Sequence, residues 1–233
     1  SATLDQPNSP LGVVSVETDA TCFGFTDGAI DLTVTGGTGP YTYAWANSRF
    51  DLSFTTEDIN NIQAETYYVS VVDANGCEFI DTIIVSQPDD IAATFVQTDI
   101  LCFGESTGAL DLTFSGGTEP YAYQWSSGTF QQDISNVPSG EYTVTLTDAQ
   151  GCVFSQDFVL TQPDEPLTIE AFVTDASCAG GRDGKIDYEA NGVTTPYTYL
   201  WANSSTTENQ FELTAGLYDI LLTDANGCTR RDT

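Results

Sequence analysis

The chain has 233 residues, with 34 acidic side chains against 5 basic ones, no histidine, and a formal net charge of -29. Such a charge repels phosphate backbones and anionic membranes. Without imidazole, the usual general base, the usual zinc nitrogen ligand and the Ser-His and Cys-His nucleophile pairs are missing, so nucleic-acid binding and most hydrolase chemistry drop out.

Apolar residues at 40% and aromatics at 12% are enough for packed cores, so the acidity does not imply disorder. There is no apolar run of membrane-spanning length, which argues against direct membrane insertion. The chain opens at Ser1 without an apolar leader, and "ATLDQP" at 2–7 resembles "IVSQP" and "VLTQP" further on, so residues 1–10 read as the tail of a preceding repeat or a linker. The piece is therefore expected to be cut from a longer array.

From residue 11 the elements follow in a fixed order. "TDATCFG" delivers Cys22, and Ile30, Leu32 and Val34 then alternate with Asp31, Thr33 and Thr35 in the period of a half-buried strand. Gly36-Gly37 and Pro40 mark a turn into a strand that carries Tyr41, Tyr43 and Trp45 on one face. Tyr67, Val69 and Val71 form another alternating strand, which ends in "DANGC". Asn and Gly tolerate the positive φ of a hairpin turn, so Cys77 starts the final strand, "FIDTIIVSQP".

The order then recurs with Cys102, Leu110-Leu112-Phe114, Gly116-Gly117, Pro120, Trp125, Tyr142-Val144-Leu146 and Cys152. It recurs again with Cys178, Trp201, Tyr218-Ile220-Leu222 and Cys228. Each tryptophan follows the first cysteine of its set by 23 residues. The chain reads as repeat 1 at 11–88, repeat 2 at 89–163 and repeat 3 at 164–233, with Gln87-Pro88 and Gln162-Pro163 as stiff linkers and Gln6-Pro7 as an earlier one. Repeat 3 stops at "TRRDT" and is expected to lack the final strand. About seven short strands per repeat, with turn signals about every ten residues, predict an all-β tandem array of three small two-sheet sandwiches.

The cysteines fall two to a repeat, which predicts one bridge within each: Cys22 with Cys77, Cys102 with Cys152, and Cys178 with Cys228. Each would be worth about 4 kcal/mol by closing a loop of roughly 50 residues and would imply an oxidising compartment. Two cysteines per repeat without histidine fall short of a closed zinc shell.

The string Cys-x-Gly at 22–24, Gly-x-Ile-Asp-Leu at 28–32, Gly-Gly-Thr-x-Pro-Tyr-x-Tyr-x-Trp at 36–45 and Tyr-x-Val-x-Val-x-Asp-x-x-Gly-Cys at 67–77 resembles the SprB-type repeat. Its second half also resembles the PKD-type immunoglobulin-like domain. The resemblance spans all three copies and implies giant surface adhesins of gliding bacteria, exported by the type IX route and moved along the cell surface. Repeat 1 departs by five extra residues between Trp45 and Cys77, and repeat 3 by "CAGGRDGKIDYEANGVTTPY".

Asp19, Asp31, Asp99, Asp111, Asp175 and Asp187 recur and offer hard oxygen ligands to calcium, but no Asp-x-Asp-x-Asp-Gly loop accompanies them, and turn capping is the stronger reading. No cofactor is required, and calcium is the one candidate. Asp73, Asp148 and Asp224 read as turn residues, and Trp45, Trp125 and Trp201 as core rather than as a sugar-stacking platform. The lone Lys185 excludes a lysine isopeptide staple in every copy. Asp81-Thr82-Ile83 resembles a short O-glycosylation acceptor of the same bacterial group, which would modify Thr82.

The reading is a non-catalytic, extracellular stalk or adhesin segment on the cell surface. Its expected partners are neighbouring repeats and a polysaccharide or abiotic surface. The competing readings are a glycan-binding accessory module of a secreted enzyme and a structural filament component.

Overall fold

The computed structural model describes residues 9–49, 53–192 and 194–233. Gln6-Pro7 lies outside the described residues. Eighteen strands are formed among them. Repeat 1 contributes β1 (Gly12–Thr18), β2 (Gly28–Thr35), β3 (Thr42–Asn47), β4 (Ile59–Ile62), β5 (Glu65–Val72) and β6 (Glu78–Val85). Repeat 2 contributes β7 (Ala92–Thr98), β8 (Gly108–Ser115), β9 (Ala122–Trp125), β10 (Ile134–Val137), β11 (Gly140–Thr147) and β12 (Val153–Leu160). Repeat 3 contributes β13 (Thr168–Thr174), β14 (Gly184–Asn191), β15 (Thr198–Trp201), β16 (Gln210–Leu213), β17 (Ile220–Thr223) and β18 (Thr229–Asp232).

Each repeat is built as two three-stranded antiparallel sheets, in the order β1-β2-β4 and β3-β5-β6 in repeat 1, with the same order in the others. That is six strands per repeat where the turn spacing predicts about seven. The alternation seen in the sequence sets which side chains face inward. Ile30 and Leu32 from one sheet meet Trp45, Tyr67, Val69, Val71, Ile83 and Val85 from the other in a single buried cluster. In repeat 3 the corresponding cluster is Ile186, Tyr188, Trp201 and Ile220. The protein is thus a tandem array of immunoglobulin-like β-sandwiches.

Repeat 3 does have a last strand, contrary to the sequence-based expectation. β18 pairs with β17 from Thr229↔Thr223 to Asp232↔Ile220. It is four residues long where β6 and β12 are eight. The described residues fall into two compact units, one formed by residues up to 94 with 113–123 and 145–155, the other by 95–112, 124–144 and 156–233. The middle repeat contributes to both.

The direction of the strands decides where each cysteine lies. In repeat 1 the chain leaves β1 and is fixed beside the end of β6: Ala20 N–H donates to Ser86 O at 2.9 Å, and Ser86 N–H donates to Asp19 Oδ1 at 2.8 Å. Cys22 is therefore at the pole where the chain exits. Cys77 sits before Glu78, the first residue of β6, at the opposite pole. β6 spans eight residues, about 27 Å at roughly 3.4 Å per residue, whereas the Cα atoms of a disulfide must approach within about 7 Å. The expected Cys22–Cys77 bridge is excluded by the length of the sandwich.

Candidate functional site

The bridges run between repeats. Cys22 of repeat 1 is joined to Cys152 of repeat 2, with Cα atoms 5.7 Å apart and a sequence separation of 130. Cys102 of repeat 2 is joined to Cys228 of repeat 3, at 5.5 Å and a separation of 126. Cys77 and Cys178 are free and exposed. All three expected within-repeat pairs, Cys22–Cys77, Cys102–Cys152 and Cys178–Cys228, are thus replaced by one rule. The first cysteine of a repeat bridges the second cysteine of the following repeat.

Each half of a junction is built by its own repeat. The half at the exit pole is the loop after the first strand. Phe25 N–H donates to Cys22 O at 3.1 Å and Glu105 N–H to Cys102 O at 3.2 Å. Thr21 N–H donates to Asp27 Oδ1 at 3.1 Å, and the Thr21 hydroxyl makes a second bond to the same carboxylate. The Thr21 hydroxyl, with its backbone N–H, holds the Asp27 carboxyl below its ordinary value. The glutamine of each Gln-Pro linker reaches back to the same loop, where Gly24 N–H donates to Gln87 Oε1 at 2.8 Å and Gly104 N–H to Gln162 Oε1 at 2.9 Å. Linker composition alone does not show this clamp. The recurrence of Gln before Pro7, Pro88 and Pro163 is its only trace in the sequence.

The half at the opposite pole is the hairpin turn. Asp73 Oδ1 accepts from Asn75 N–H and Cys77 N–H, both at 2.9 Å, and Oδ2 accepts from Thr38 N–H at 3.0 Å. Asp148 does the same with Gln150 at 2.9 Å, Cys152 at 2.8 Å and Thr118 at 2.8 Å. Asp224 accepts from Asn226 at 2.9 Å and Cys228 at 2.8 Å. These aspartates are the turn residues the sequence suggests. The Cys77 N–H holds the Asp73 carboxyl below its ordinary value of 3.8. Burial pushes Asp148 up, but the N–H groups of Thr118, Cys152 and Gln150 together outweigh it and its value is also lowered.

The double glycine belongs to this turn. Gly37 has φ +64, and a Cβ there would lie 3.1 Å from Asp73 Oδ2, so a side chain would press on the carboxylate while adopting a disfavoured backbone.

At the first junction the two halves close over apolar surface. Cys22 and Cys152 are buried in a cluster with Ile91 and Leu146, flanked by Phe114, Tyr121, Tyr123 and Phe154. Cys152 Sγ lies 3.4 Å from Thr21 O. At the second junction Cys228 Sγ lies 3.4 Å from Leu101 O, and Asn226 Nδ2 donates to the same carbonyl at 3.2 Å. The two junctions thus share one contact pattern.

The other sequence-derived sites have structural places. Trp45, Trp125 and Trp201 are buried, and their Nε1–H groups donate to Thr56 O, Gln131 O and Thr207 O at 3.0, 2.9 and 2.7 Å. Tyr41, Tyr121 and Tyr197 donate through their hydroxyls to Gly36 O, Gly116 O and Gly192 O at 2.7, 2.5 and 2.9 Å. This aromatic series is internal scaffolding.

Among the six candidate calcium ligands, Asp19 and Asp99 act as caps, Asp99 accepting from Thr161 N–H at 2.8 Å. Asp187 pairs with Lys185, and Asp31, Asp111 and Asp175 are exposed. Among the described residues no three His, Cys, Asp or Glu side chains gather as a metal site. Thr82 is exposed on β6. No described helix is long and apolar enough to cross a membrane.

Fold and junctions together define an array of immunoglobulin-like repeats stapled to one another by disulfides. A family profile described as SprB repeat matches residues 14–50, 94–130 and 171–206, once in each copy, so the chain carries three SprB repeats. A search of curated proteins gave no match. Similar solved structures include Drosophila OTK extracellular domains 3-5 (11% identity, 94% of this chain, 90% of that chain, TM-score 0.31). They also include the N-terminal eight Ig domains of Down Syndrome Cell Adhesion Molecule (12%, 97%, 43%, TM-score 0.40) and the amphioxus IgVJ-C2 molecule (13%, 65%, 96%, TM-score 0.27).

Proposed function

We propose that the chain is a non-catalytic, load-bearing segment of a secreted cell-surface adhesin, serving attachment to and movement over surfaces. The observation that supports this most is that every junction carries two covalent connections. The backbone passes through Gln87-Pro88 while Cys22–Cys152 ties the same two repeats, and Gln162-Pro163 is doubled by Cys102–Cys228. Tension entering along β1 reaches Cys22 and crosses to repeat 2 without passing through the rest of repeat 1. The part of repeat 1 beyond Cys22 is thereby relieved of load, and the length the chain can release under tension is limited to the route through 102–152, a property suited to a tether under shear.

The bridges fit an oxidising, extracellular setting. The net charge of -29 keeps such an array solvated and discourages collapse of one repeat onto another. The tryptophans that would serve a glycan-binding accessory module, Trp45, Trp125 and Trp201, are buried, which disfavours that alternative. The test is replacement of Cys22, Cys102, Cys152 and Cys228 by serine in the parent protein of the producing bacterium. Surface display, read by antibody labelling of intact cells, should persist while attachment under flow falls severalfold. Unchanged attachment and movement with normal display would refute the reading.

A further inference from the structure

We propose that the two staples differ in their response to reductant: Cys102–Cys228 is a release opened by small thiols, while Cys22–Cys152 stays closed under the same conditions. Both junctions lie between repeats of this chain, so what stands before repeat 1 or after repeat 3 does not enter. The difference is chemical and holds whatever the array attaches to.

The first bridge is covered by aromatic side chains. Cys22 is 5% exposed and Cys152 8%. Phe114 and Phe154 pack against the cluster that holds both cysteines and meet edge to face, with ring centroids 5.9 Å apart. Phe25 lines the cavity beside the same two cysteines. At the second junction Cys102 and Cys228 are only partly buried.

All three phenylalanines are replaced there. Glu105 follows Cys102 by three residues, as Phe25 follows Cys22. Ala190 is the seventh residue of β14, the place that Phe114 holds in β8. Arg230 is the second residue of β18, the place that Phe154 holds in β12, and it is exposed. The two junctions therefore share their backbone pattern and differ in their cover.

Thiol–disulfide exchange brings a thiolate to the bridge and expels another from it, so the reaction needs both access and tolerance of negative charge. An apolar cover withholds both, since burial without a partner disfavours the charged form. The second junction lacks that cover, and Arg230, two positions after Cys228, supplies a cation that favours the departing thiolate.

The reductant is a low-molecular-weight thiol. Its thiolate attacks Cys102 Sγ, the bond to Cys228 breaks, and the electron pair leaves on Cys228 Sγ, which is then protonated. A second thiolate attacks the outer sulfur of the mixed disulfide and expels Cys102, which is protonated in turn. Two small thiols become one small disulfide, and the bridge gains their two electrons and two protons. Opening this bridge alone lets the taut chain lengthen by about 90 Å at roughly 3.5 Å per residue, with repeats 1 and 2 still tied by Cys22–Cys152.

The test uses the whole oxidised chain with Cys77 and Cys178 alkylated beforehand. It is incubated with graded 2-mercaptoethanol, a neutral thiol that the net charge of -29 does not repel, and quenched in acid. The thiols released are labelled with an isotopically heavy alkylating reagent and mapped by mass analysis. In the folded chain Cys102 and Cys228 should be labelled about tenfold faster than Cys22 and Cys152, or more. In denaturant that gap should close, because the cover is made by the fold. Arg230→Phe should slow the opening of Cys102–Cys228 severalfold, and Phe154→Ala should speed that of Cys22–Cys152. The comparison of the two bridges within the unmutated chain is independent of whether either variant folds. Equal rates in the folded chain, earlier opening of Cys22–Cys152, a gap of the same size in denaturant, or a folded Arg230→Phe chain that opens as fast as the unmutated one would overturn the proposal.

Discussion

Pulling on the two ends of the chain measures the staples directly. With both bridges intact, the shortest covalent route runs from Ser1 to Cys22, back through repeat 2 from Cys152 to Cys102, and from Cys228 to Thr233. That is about 75 residues, or about 270 Å at roughly 3.5 Å per residue with the bridges included. Replacing all four bridging cysteines by serine frees the whole chain, about 810 Å on the same scale. Total length in the oxidised state would be nearly the same for within-repeat bridges, so single substitutions carry the discrimination. Cys77→Ser should leave the limit unchanged, because Cys77 is free. Bridges within repeats would make the same change release about 190 Å. Cys102→Ser should add about 90 Å, against about 175 Å for within-repeat pairing. Optical-trap stretching of a single tethered chain, with and without reductant, reads these contour lengths. A lengthening of about 190 Å in Cys77→Ser would refute the reasoning.

Three further outcomes follow from the same geometry. Asp73 and Asp148 are held below 3.8, so their contribution is fully present above that pH and is lost as pH falls through the lower folded values. Melting temperature should therefore drop below about pH 4, and D73N/D148N should melt lower at pH 6 with the gap closing at acid pH; parallel profiles would contradict this. Gln87→Ala removes the acceptor for Gly24 N–H and should cost about 1 kcal/mol, with faster amide exchange at Gly24 while Ile30 and Leu32 stay protected. Because β17 and β18 have four residues each against eight in β5, β6, β11 and β12, amides of Leu221 and Leu222 should exchange faster than those of Val71 and Leu146. Equal protection would mean that the short strands close repeat 3 as well as the long ones close its neighbours.

Much of the fold was legible because alternation at Ile30-Leu32 and Tyr67-Val69-Val71 states directly which side chains face inward. The buried tryptophans and the turn aspartates were legible for similar reasons, since both are local in the chain. The pairing of the cysteines was not. Constant spacing between Cys22 and Cys77 is equally consistent with one bridge per repeat and with a bridge from each repeat to the next. The choice depends on β1, whose segment GVVSVET carries only a weak inside-outside pattern, with Val14 and Val16 exposed. Only once β1 is placed does Cys22 fall at the exit pole, across the length of the sandwich from Cys77. The shortened β18 was missed because "TRRDT" has no apolar alternation; Thr229 to Asp232 join the sheet through backbone pairing with β17.

The most direct test is proteolysis of the oxidised chain under non-reducing conditions, with the free thiols blocked beforehand, followed by mass analysis of the linked peptides. The account predicts Cys22 joined to Cys152 and Cys102 joined to Cys228, with the blocking group on Cys77 and Cys178. Recovery of Cys22 linked to Cys77, or of Cys102 linked to Cys152, would contradict it.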